Sequence, residues 1–160
     1  MSSVTSFYRA FNGCENFASD VSAWQVGSVE SFNHAFRGTQ VNSDFSNWDI
    51  SSVVSMSRMF YGTPVFEGIG LENWDVSNVI DFSYMFDGAV TFTGESIVNW
   101  NVSGVQASGG ESCYEGRCGL YEMFDGATNF NQNLCHWLDL IEYDEDTNPV
   151  PVDGMFFIFD

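Results

Sequence analysis

Positive charge is what this sequence most lacks: four Lys and Arg stand against 22 Asp and Glu in 160 residues, a formal net charge of −18. A surface that acidic repels nucleic acid phosphates and anionic lipid headgroups, so nucleic acid is excluded as an expected partner. No run of 18 apolar residues exists, which excludes direct membrane insertion through a helix, and the N-terminus lacks the basic and apolar regions of a secretory signal. The only two histidines, His34 and His136, lie far apart in the chain, which argues against a histidine-based metal or nucleophile site. Phosphate loops, dinucleotide fingerprints and EF-hands are missing. Threonine is too sparse for an ice-binding array, with Thr91 and Thr93 its one Thr-x-Thr pair. Carboxylates are so abundant that pairs of them are not diagnostic of glycosidase chemistry. These absences point away from an enzyme: no catalytic residue and no cofactor is expected, and calcium is the one ion the acidity leaves open.

Aromatic residues are abundant instead, with 16 Phe and 5 Trp, and 44% of the chain is hydrophobic. Disordered acidic chains are poor in aromatics, so residues 1–160 are expected to fold as a single domain. Internal periodicity is plain. An apolar pair followed two residues on by Gly recurs as Ala10-Phe11, Ala35-Phe36, Met59-Phe60, Met85-Phe86 and Met123-Phe124, with Gly13, Gly38, Gly62, Gly88 and Gly126. Four residues before each anchor Phe lies Phe7, Phe32, Met56, Phe82 or Leu120. Seven before it, in the first four copies, lies Val4, Val29, Val53 or Val79. Spacings of four and seven predict one face of a short helix, capped at its C-terminus by the glycine in the left-handed conformation.

Each copy continues with Phe17, Val41, Phe66, Phe92 or Phe130 and then a tryptophan: Trp24, Trp48, Trp74, Trp100 or Trp137. Val26, Ile50, Val76 and Val102 follow two residues after the first four, a spacing that predicts a strand with one face inward. The expected fold class is therefore an α/β solenoid, a right-handed stack of one short helix plus one short parallel strand per turn of 24–26 residues. About five full repeats and a partial sixth at Met155-Phe156 are counted, with an insert loop near 107–119. Met1 falls at the repeat position of Val26 and Ile50, so the chain is expected to be a fragment of a longer one. Stacking would bury the Phe, Met and Trp columns that no single copy can hide.

The pattern Trp-Asp-Val-Ser-Asn-Val over 74–79, followed by Met-Phe-x-Gly-Ala over 85–89, resembles the 26-residue bacterial surface-protein repeat found in mycoplasma lipoproteins and in algal families of unassigned function. The order Val4, Phe7, Ala10-Phe11, Gly13-Cys14 and Phe17 is similar to BspA-type leucine-rich repeats, and 130–137 is similar to the last repeats of the algal proteins. The resemblance covers nearly the whole chain; Val41 in place of Phe and the insert depart from it. It implies a leucine-rich-repeat-like stack, at a cell surface or secreted, and no reaction.

Residues flanking each Trp are expected to point outward from the strand. Asn47, Asn73 and Asn99 precede it; Asp49, Asp75 and Asn101 follow it. With strands about 4.8 Å apart, Asp49 and Asp75 would repel unless a cation or basic ligand separated them. The alternative is a solvated ladder in which the Asn side chains bond along the stack. Cys113 and Cys118 are close enough to close a disulfide across the insert, which would fit an extracellular setting. Cys14 and Cys135 are expected too far apart to pair, and therefore to be buried thiols or to bond elsewhere. Asn101-Val102-Ser103 is a glycosylation sequon. The expected function is non-catalytic binding or adhesion to a protein or glycan at the cell surface or matrix, through the acidic strand face or the insert. The alternative is an assembly subunit whose ends or faces pack against other protein subunits.

Overall fold

A computed structural model of the chain describes residues 4–105 and 119–140. It corrects the expected α/β solenoid. Among the described residues there is no helix of seven residues and no strand. The regular elements are three short 3₁₀ segments, Leu71–Asn73, Glu95–Ile97 and Cys135–Asp139, and isolated parallel bridges linking Ser6, Ser31, Ser55 and Asp81 in succession.

The physical reason lies in the residue two before each anchor Phe. Arg9, His34, Arg58, Tyr84 and Glu122 all have positive φ, between 47° and 59°, a left-handed conformation that no α-helix of L-residues accommodates. The predicted helix is instead two consecutive turns. The amide of Ala10 donates to the carbonyl of Phe7 across Arg9, and that of Cys14 to Phe11 across Gly13, whose φ is 74°. Positive φ at the third residue of such a turn is the signature of type II. The same pair recurs in every described copy, as at Met56–Met59 and Phe60–Thr63. A four-residue spacing of apolar residues is thus the length of a turn, and it coincides with one turn of helix.

The remaining amides join neighbouring copies. Phe7, Arg9, Phe11 and Gly13 donate to the carbonyls of Ser31, Asn33, Ala35 and Arg37, 2.8–2.9 Å away. Alternate amides therefore bond within a copy and to the next one, which satisfies the main chain without extended strands. The predicted strand is likewise a turn: Trp48 donates its amide to Phe45, and Trp74 donates to Leu71.

Copy stacks on copy around the aromatic columns. Phe11, Phe36, Phe60, Phe86 and Phe124 follow one another at centroid spacings of 5.6–6.0 Å, with nearly parallel ring planes. Trp24, Trp48, Trp74 and Trp100 stack 6.1–6.4 Å apart. From Val21 to Trp137 these rings and their aliphatic neighbours form one buried cluster, each large side chain contributing roughly 1.5–3 kcal/mol. The insert does not disturb the register, because Gly88 still donates to the carbonyl of Asp125 at 2.7 Å. Most of the insert and the partial sixth repeat lie outside the described residues.

Candidate functional site

Asn47, Asp49, Asn73, Asp75, Asn99 and Asn101 are all exposed, one pair per copy. The turn after each Trp positions the second member. Asp49 Oδ1 accepts the amide and hydroxyl of Ser51, at 3.1 and 2.7 Å, and Asp75 Oδ1 accepts those of Ser77 at the same distances. Asn101 Oδ1 accepts the Ser103 amide. Hydrogen bonds to the ionised form hold the carboxyls of Asp49 and Asp75 below the ordinary range, first through the serine hydroxyl and then through its amide. Local serines, rather than repulsion between the two aspartates, therefore set their charge. Serine two residues after an acidic residue also clamps Asp20 and Asp44. The Asn side chains form no ladder with one another among the described residues.

Cys14 and Cys135 are both exposed and free, which corrects the expectation of buried thiols. Cys113 and Cys118 lie outside the described residues. His136 is exposed, with its Nε2 2.7 Å from the Val98 carbonyl oxygen.

A second outward surface, not anticipated from the sequence, follows the turns themselves. The residue two before and the residue one after each anchor Phe make two adjacent columns, placed side by side by the ladder of amides from Arg9 through Gly88. At one end the columns carry Arg9, Arg37 and Arg58, three of the four basic residues in the whole chain. Each guanidinium lies over a tyrosine: Arg9 over Tyr8 at 5.2 Å, Arg37 over Tyr61 at 4.9 Å and Arg58 over Tyr84 at 4.0 Å. Arg37 also donates from Nη1 to Asn12 Oδ1 at 3.4 Å. Among these cations His34 is half-buried, and its Nδ1 has no hydrogen-bond partner among the described residues. Burial, then the charges of Arg58, Arg9 and Arg37, push its pKa down to about 4.

At the other end the same columns carry Asp87, Glu122 and Asp125, with one carboxylate oxygen from each within 4.8 Å of the others. Burial and the neighbouring charges of Asp125 and Glu122 push Asp87 up to about 6. Three such carboxylates could supply part of the oxygen shell of a divalent cation, for which calcium takes six to eight ligands. The signal for both ends is present in the repeat columns, which run Arg9, His34, Arg58, Tyr84 and Glu122 beside Asn12, Arg37, Tyr61, Asp87 and Asp125.

A family model for mycoplasma proteins of unknown function, DUF285, matches residues 1–70 and again residues 65–142. The chain belongs to this family. The two matches divide it near the third copy, and the second runs through the insert. DUF285 thus accounts for the mycoplasma part of the resemblance, whereas similarity to BspA-type leucine-rich repeats is not shown. No curated protein matches this DUF285 chain, and no solved structure does.

Proposed function

We infer that this chain is a non-catalytic binding protein of the cell surface or extracellular space, using its once-per-repeat polar columns to hold a basic protein surface or a glycan. The observation supporting this reading is the pair Asp49 and Asp75. Both are exposed, both are clamped by the serine two residues on, and both are held in the ionised form. A carboxylate fixed by local bonds in the folded chain loses little further freedom when a partner binds, so each contact is less costly in entropy. Asn47, Asn73, Asn99 and Asn101 add exposed amide donors and acceptors beside them, the groups suited to sugar hydroxyls.

The test separates this column from the general acidity of the chain. Binding to an immobilised lysine-rich peptide is compared between Asp49→Asn/Asp75→Asn and Glu15→Gln/Glu67→Gln, a control of equal charge at two exposed positions. The column variant is expected to lose at least about tenfold more affinity than the control. Equal losses would reduce the interaction to net charge and defeat the reading.

A further inference from the structure

We propose that the turn-borne charged ribbon is the contact surface of an antiparallel homodimer, in which Arg9 and Arg37 of each copy face the Asp87, Glu122 and Asp125 carboxylates of the other. This surface is separate from the columns of Asp49 and Asp75, and the proposal does not depend on them.

The charges on the ribbon are ordered by sign. Along five copies the ribbon reads Arg9, Arg37 and Arg58, then Asp87, then Glu122 with Asp125, so its two ends are opposite in sign and its net formal charge is zero. What sets the ribbon apart in a chain of net charge −18 is that it holds three of the four basic residues of the sequence, all at one end of it. A two-fold axis through the middle copy sets the first copy against the fifth and the second against the fourth. That operation brings Arg9 to Glu122 and Asp125, and Arg37 to Asp87. In a two-fold interface every such contact occurs twice, which only a self-complementary surface allows.

Geometry supports the same reading. The carboxylates of Asp87, Glu122 and Asp125 crowd within 4.8 Å, and like charges at that distance call for a countercharge. Within the chain the charges of Arg58 and Arg37 act on Asp87, and Arg37 is also directed to Asn12 and Tyr61. Arg58, nearest the axis, lies over Tyr84 in the fourth copy, which turns it toward the acidic half and away from its symmetry mate. The guanidiniums are braced on tyrosine rings, so they lose less freedom on docking. A ribbon five copies long, at about 4.8 Å per copy, is narrow. The dimer it forms belongs to the small, salt-sensitive class of interfaces.

Sedimentation equilibrium of the full chain over a concentration series is the test. At low ionic strength the mass should rise toward twice 17.9 kDa, and about 0.5 M salt should weaken association at least about tenfold. Arg9→Glu/Arg37→Glu makes the ribbon predominantly acidic, and Asp87→Arg/Glu122→Arg makes it predominantly basic; each variant alone should be monomeric. An equimolar mixture of the two should form a heterodimer, because each now complements the other. Near-UV circular dichroism from the Trp column verifies folding, and the single reversals Arg37→Glu and Asp87→Arg substitute for either double variant that fails it. A wild-type chain monomeric throughout, association that survives salt and charge reversal, or a mixture that stays monomeric would each overturn the proposal.

Discussion

The indole Nε1 of Trp48 donates to the main-chain carbonyl of Val21, 27 residues upstream in the preceding copy, at 3.0 Å. Trp74 does the same to Phe45 at 3.1 Å and Trp100 to Leu71 at 2.9 Å. Each tryptophan is therefore both a core ring and a hydrogen-bonded link between adjacent copies, with its one polar atom satisfied in the interior. The link also sets the depth of the ring, since the accepting carbonyl belongs to the residue three before the previous tryptophan.

Trp137 breaks the series: it is fully buried, yet its Nε1 has no hydrogen-bond partner among the described residues. Trp74→Phe should cost about 1–2 kcal/mol through the lost hydrogen bond and ring volume, and Trp74→Ala about 3–5 kcal/mol. Trp137→Phe should cost less than Trp74→Phe, because it also removes an unsatisfied buried donor. Urea unfolding of the three variants measures the order.

Two glycines with positive φ differ in what surrounds them. A Cβ at Gly13 would meet nothing within 4 Å, whereas one at Gly70 would lie 2.3 Å from the Ser46 main-chain nitrogen. Gly13→Ala should cost only the left-handed strain of roughly 1–2 kcal/mol. Gly70→Ala should add overpacking of roughly 1–3 kcal/mol against a backbone that cannot yield. Thermal unfolding of the pair distinguishes strain from collision.

The two displaced pKa values on the ribbon act in opposite directions on stability. His34 is held at about 4 in the folded chain against 6.5 ordinarily, so the unfolded chain binds the proton first and stability falls as pH falls from 6.5 toward 4. Asp87 is raised from 3.8 to about 6, so the folded chain binds the proton first and stability grows as pH falls over nearly the same window. The slopes oppose each other in the wild-type chain. His34→Gln should therefore give a melting temperature that rises on acidification from about pH 6.5 to 4.5, and Asp87→Asn one that falls. Matching slopes in the two variants would refute the compensation.

Asp81 occupies the column that holds Ser6, Ser31 and Ser55 in the other bridged copies. It is only 3% exposed, and burial raises its pKa despite hydrogen bonds from Ser83 and Ser55. Burial penalises its charged form, so a carboxylate at this position burdens the fold. Asp81→Asn keeps an acceptor and removes that charge, so the melting temperature should rise at pH 7. The gain should shrink in acid, where the carboxyl is protonated in both states, and calorimetry at two pH values measures the difference.

The repeat was legible because burial imposes a residue type at each column: anchor Phe, Trp and the glycine after the anchor recur wherever a copy must cover its neighbour. The same columns identified the interior, and Trp48, Phe60 and Met85 are buried as that reading required. Asp49 and Asp75 were legible as exposed, because the residue beside an inward Trp has nowhere else to go. Their serine clamps at Ser51 and Ser77 were not anticipated, although the spacing was in view.

What the sequence by itself determined is which side chains go inside and at what interval, since apolar transfer depends on residue type and spacing alone. It did not determine the path of the main chain, because over so few residues a spacing of two suits a turn as well as a strand, and a spacing of four suits a turn as well as a helix. Only the tertiary structure decided that. The amides of Phe7, Arg9, Phe11 and Gly13 bond to the next copy, and that ladder, formed between residues some 25 apart, holds Arg9, His34, Arg58, Tyr84 and Glu122 at positive φ. The charged ribbon exists for the same reason, as its arginines and carboxylates become neighbours only when five copies are in register.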